Sequence, residues 1–138
     1  MRVRWSTATL VALLAVLACT LFPFQFYVGN HSVRSVGDVL LIGIGPDETP
    51  DIVENVLLFV PLGFTLTGYL KNKGLRALAV VTAVLFTSLC LSYAIEVLQF
   101  FMPGRFTSLT DVFSNTAGGG LGFLCFGLWH RLMRSSPF

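Results

Sequence analysis

Apolar residues along this chain gather into four long runs, at about 6–28, 52–70, 76–101 and 112–132, with the polar residues collected in the stretches between them. A helix of roughly 20 residues crosses a hydrocarbon core about 30 Å thick, so each run is a candidate span. The pattern predicts an all-α fold, a four-helix transmembrane bundle that forms a single membrane domain over 1–138. Thr49-Pro50-Asp51 reads as a helix start, with a capping hydroxyl, a proline where no N–H is needed and an acid favoured by the helix dipole. Pro61 and Gly63 mark a kink or packing notch in the second run. Pro103-Gly104 stops the third, which is long enough to tilt or project, and Ser108 with Asp111 has the spacing of a capping box opening the fourth. Between the first two runs, 29–50 turns polar. Its one apolar patch, Val39-Leu40-Leu41-Ile42, is too short to cross and should lie at the interface or fold back over the bundle.

Composition agrees with the pattern. Hydrophobic residues make up 54% and charged residues 12%, where an ordinary soluble domain carries about 25% charged, so a soluble fold is excluded. A net charge of +2 without a Lys/Arg run excludes a nucleic-acid partner. Val16-Leu17-Ala18-Cys19 after Arg2 and Arg4 has the look of a lipoprotein signal, but the apolar run continues through Leu21-Phe22-Pro23-Phe24, which favours a retained span. Cys19, Cys90 and Cys125 sit inside apolar runs with no metal-type spacing and read as small apolar fillers.

Charge sets the orientation. Arg2, Arg4, Lys71, Lys73, Arg76, Arg131 and Arg134 fall on one side of the predicted spans and only Arg34 and Arg105 on the other, which places both termini in the cytoplasm and the 29–50 loop outside. Asp51, Glu54, Asn55, Glu96, Gln99, Arg105, Asp111 and Asn115 then share the outer end, contributed by three separate segments.

These residues differ in what else explains them. Asp51 and Glu54 in a first helical turn gain from the dipole without any function, and Asp111 gains as a cap. Asn55 lies one turn beyond Asp51, and Asn115 one turn beyond Asp111 near the small residues Gly118, Gly119 and Gly122, which suit close helix packing. Glu96 gains nothing from its position near a helix C-terminus, and an ionisable residue within a span is by default a functional hypothesis. With Ser92 behind it and Gln99 ahead it forms a polar stripe, and Arg105 is its expected cationic partner. Glu96 kept neutral, or Glu96 as a hydrogen-bond hub between helices, remains open. An acid, amides and one arginine at the outer leaflet suit binding of a lipid headgroup or lipid-linked precursor, with Arg105 on phosphate or carboxylate, or acid/base work by Glu96 or Asp111. His31 and His130 fall on opposite sides, so no Ser/His/Asp set forms. Zinc is disfavoured and an oxygen-only Mg²⁺ or Ca²⁺ site has weak support, so no metal or other cofactor is expected.

Asp51-x3-Asn55-x3-Phe59-x-Pro61-x-Gly63 resembles the signature of VanZ-like membrane proteins, and Glu96-x2-Gln99, Pro103-Gly104-Arg105 and Asp111-x3-Asn115-x2-Gly118 are similar to its second half. The match covers about Asp51 to Gly122. It implies a bacterial multi-pass protein of the cell membrane, and the member that names the family is associated with teicoplanin resistance. No reaction comes with it. The resemblance carries over Asp51, Asn55, Glu96, Gln99, Arg105, Asp111 and Asn115 as site residues; by their chemistry Asp51, Asn55, Gln99, Arg105 and Asn115 are the ligand-binding residues and Glu96 and Asp111 the candidate catalytic groups. The expected partner is a membrane lipid or lipid-linked envelope component. The alternatives are an enzyme of envelope lipid or cell-wall precursor metabolism and a structural or partner-binding membrane protein. A homo-oligomer is compatible with so small a bundle, since four spans are few for a transporter acting alone.

Overall fold

The computed structural model describes residues 4–25, 49–102 and 108–135, with only the helical backbone described at 49–51, 134 and 135. Among these residues there are four helices and no strand: α1 (Trp5–Leu21), α2 (Thr49–Asn72), α3 (Ala77–Gln99) and α4 (Leu109–Ser135). The 29–48 loop, Pro103-Gly104 and Arg105 lie outside the described residues, as does the side chain of Asp51.

Proline decides where α1 stops. The apolar run reaches Val28, yet the helix ends at Leu21, because Phe22 precedes Pro23 and takes an extended conformation, φ −65° and ψ 137°. The proline ring disfavours helical geometry at the residue before it. The expected 6–28 segment is therefore not one continuous helix. α1 has 17 residues, about 26 Å of rise, whereas Ile52–Asn72 of α2 and Ala77–Gln99 are each long and apolar enough to cross a membrane.

Glycine decides how α2 turns into α3. Gly74 has φ +82°, the left-handed region where a Cβ is penalised, and its N–H bonds to Lys71 O at 3.0 Å while Leu75 N–H reaches Leu70 O at 3.4 Å. Those two bonds define a Schellman stop. Pro61 stays within α2 on an exposed side, and the notch in that helix is Gly63.

The helices alternate in direction. One end of the bundle holds the end of α1, the start of α2, the end of α3 and the start of α4, tied by Gln99 to Thr20 and Asn55 to Asp111. At the other end Trp5 packs on Phe64, Phe126 and Trp129 with ring centroids 5.4–6.1 Å apart. α2 and α4 run parallel and approach to backbone contact: a Cβ on Gly118 would run into Val56 O, and one on Gly122 into Val60 O. The core between α1, α2 and α3 is Ala12, Val16, Leu21, Phe59, Leu62, Ile95 and Met102.

The outer surface is apolar. Val11, Leu57, Leu78, Phe86, Phe113 and Leu124 are each more than half exposed, a coat suited to hydrocarbon and foreign to water-soluble domains. Cys19, Cys90 and Cys125 also lie exposed on it, free thiols on the outward faces of their apolar helices. Replacing all three with alanine is expected to change stability by less than about 0.5 kcal/mol, as for surface substitutions generally. Denaturant titration in detergent micelles checks this.

Candidate functional site

The site grows from one face of α3. Ser88, Ser92, Glu96 and Gln99 recur at helical spacing, and all four are buried, Glu96 to 1% exposure. Each is met from a neighbouring helix or the segment leading into one. Gln99 Nε2 donates to Thr20 O near the C-terminus of α1 at 2.9 Å, using one of the carbonyls that a helix end leaves unpaired. Glu96 Oε2 accepts from Ser108 N–H at 2.9 Å. Ser92 Oγ accepts from Asn115 Nδ2 at 2.7 Å, and Ser88 Oγ packs against Gly119.

The start of α4 is built as the capping spacing predicts, with one substitution of partners. Ser108 Oγ accepts from Thr110 N–H at 3.1 Å, making Ser108 the N-cap. In a capping box the acid three residues on would take the N-cap N–H. Here Glu96 of α3 takes it, while Asp111 Oδ1 accepts from Asn55 Nδ2 of α2 at 2.6 Å. A reciprocal motif within one helix thus becomes a clasp across three.

Register follows from the two contacts Ser92/Asn115 and Ser88/Gly119. A step of four along α3 matches a step of four back along α4, so the next level pairs Glu96 with Asp111. Asp111 and Asn55 are half-buried at the mouth, Glu96 is buried at the level of Asp111, Asn115 is buried one turn beneath, and Glu54 of the same end is exposed. Among the described residues Arg4, Lys71, Lys73, Arg76 and Arg131 all lie toward the opposite end.

Of the site residues expected from sequence, Asn55, Glu96, Asp111 and Asn115 come together between α2, α3 and α4, and Gln99 joins α3 to α1. Asp51 stands in the first turn of α2, and its side chain and Arg105 lie outside the described residues. Sequence reasoning missed Ser88 and the clasp role of Ser108. Ser88 continues the stripe one turn inward from Ser92, and that spacing was the available signal.

An all-helical bundle with an apolar coat, two helices able to cross a membrane and a buried acid–amide cluster at one end defines a class of membrane-type protein. The family model described as VanZ/LLP1 matches residues 9–130, and Protein VanZ of Enterococcus faecium is 31% identical over 125 residues, covering 88% of this chain and 72% of that protein. The chain belongs to the VanZ/LLP1 family. No solved structure matches it.

Proposed function

We propose that this chain is a multi-pass protein of the cytoplasmic membrane, with four spans and both termini cytoplasmic, whose acid–amide cluster lies at the outer leaflet and binds a membrane lipid or lipid-linked envelope component. The described cations at the opposite end support the orientation through the positive-inside rule. The observation that carries the reading is Glu96 at 1% exposure, held against Ser108 N–H beside the Asn55–Asp111 pair. Burying a carboxylate among apolar helices is costly, and such residues mark functional sites. A catalytic version, with Glu96 and Asp111 as acid and base on an envelope lipid, draws support from the shared level of the two acids. Tolerance of teicoplanin-type glycopeptides rests on the family resemblance alone.

Lipids that copurify with wild type, identified by mass spectrometry, test the reading against Asp111→Asn, which keeps the side-chain shape. One lipid class is expected to fall about tenfold in the variant, the value of a hydrogen bond to a charged group. Unchanged lipid content in a folded variant sinks the reading and leaves a structural role. Conversion of the bound lipid by wild type, lost in a variant that still binds it, selects the enzyme.

A further inference from the structure

Cations gather at the end of the bundle opposite the clasp, and the fold brings them closer than chain order requires. Trp5 lays its ring on Gly68, where an added Cβ would strike Trp5 Cδ2, Cε3 and Cζ3. The start of α1 is therefore level with the last turns of α2, and Arg4 joins Lys71, Lys73 and Arg76 at one end. All four are exposed, and every acid whose side chain is described, Glu54, Glu96 and Asp111, stands at the opposite end. Arg131, toward the same end, has a contact of its own and is left out of the patch.

Local structure does not use these charges up. A lysine near the end of a helix can serve the unpaired carbonyls there. In α2 backbone donors serve them instead: Lys73 N–H reaches Tyr69 O at 3.3 Å and Leu70 O at 3.1 Å, with Gly74 N–H on Lys71 O and Leu75 N–H on Leu70 O. Lys73 Nζ lies 5.6 Å from the Tyr69 ring centroid, which keeps the ammonium beside the helix end. Only residues 73–76 separate α2 from α3, so the cations cannot rise far from the apolar coat. The positive-inside rule asks only that cations stay on one side; here they stand together against that coat.

Their neighbours decide what fits. Leu75, between Lys73 and Arg76, is exposed, and Leu78 in the first turn of α3 is 78% exposed. Trp129, packed on Trp5, also reaches the surface, an indole suited to the headgroup level. A free anion would meet the cations and leave these apolar side chains bare. A phospholipid of net negative charge presents an anionic headgroup and acyl chains side by side, and covers both. In the orientation proposed above this end faces the cytoplasmic leaflet, the one with the negative surface potential.

We propose that Arg4, Lys71, Lys73 and Arg76 form a second lipid contact, separate from the acid–amide cluster, for phospholipids of net negative charge. Each cation near an anionic surface is worth roughly a fivefold gain in affinity. The test is native mass spectrometry of the full chain in micelles with phosphatidylglycerol or with phosphatidylcholine of the same acyl chains. Wild type is expected to prefer phosphatidylglycerol at least about fivefold at low salt. Arg4→Gln/Lys71→Gln/Lys73→Gln/Arg76→Gln is expected to bring the ratio to about one, and Lys71→Arg/Lys73→Arg, which keeps the charge, to preserve it. Micelles have no sides, so inverted insertion cannot account for a loss. Asp111→Asn, at the other end, is expected to leave the preference in place. Equal binding of both lipids by wild type, a preference unchanged in the glutamine variant, or one lost in Asp111→Asn overturns the patch. If the glutamine variant fails to fold, salt decides. From about 0.01 M to about 1 M the Debye length falls from about 30 Å to about 3 Å, and a wild-type preference that survives the change overturns the proposal.

Discussion

Glu96→Ala is expected to cost the folded protein about 2–4 kcal/mol, while Glu96→Gln leaves stability unchanged or raised and removes ligand binding. The alanine variant deletes the acceptor of Ser108 N–H, the group on which the N-cap of α4 depends, and leaves a void between buried neighbours. A buried donor without a partner costs about 1–3 kcal/mol, and the lost packing adds to it. Glutamine keeps an oxygen for Ser108 and relieves the burial of charge. The two variants therefore separate the mechanical role of Glu96 from its electrostatic one. Denaturant unfolding in micelles followed by Trp5 and Trp129 fluorescence, paired with the lipid mass spectrometry, reads both. Equal losses of stability in the two variants would show that the carboxylate charge itself holds the helices.

The second large effect is expected at Gly122, where alanine should destabilise by about 3 kcal/mol or more, at the upper end of overpacking costs. Its Cβ would meet Val60 O, Phe64 N and Gly63 C, all backbone atoms of α2, so no side chain can rotate away. Gly127 on the same helix is the control. Nothing lies within 4 Å of a Cβ there, and Gly127→Ala is expected to gain about 0.5–1 kcal/mol from helix propensity. The same unfolding titration measures both, and a neutral Gly122→Ala would mean that α2 and α4 can separate freely.

Much of the cluster could be read from the chain because its residues violate the apolar pattern. Ser92, Glu96 and Gln99 interrupt a run that would otherwise be continuous, and their spacing alone puts them on one face, where they are found buried. Asn55 and Asn115 stood out for the same reason, and the cap at Ser108 followed from local chemistry. Partner choice was not legible, because it depends on which helices touch. Nothing in the sequence says that Glu96 receives Ser108 N–H, or that Trp5 meets Phe64, Phe126 and Trp129 from two other helices. The end of α1 was misplaced because hydropathy ran on past a proline whose local effect prevailed. The faces that the cysteines occupy were not legible either, because periodicity is silent where every face is apolar.

The parallel pairing of α2 with α4 has a consequence for biogenesis. Two parallel neighbours require a returning helix, so α3 must already be made when the ribosome reaches Leu109, and the glycine seam closes only once α4 has been synthesised. Until then Glu96 and Ser92 wait without their final contacts. Chains shortened within α4 should consequently be substrates for membrane quality-control proteases, whatever the fate of the earlier helices.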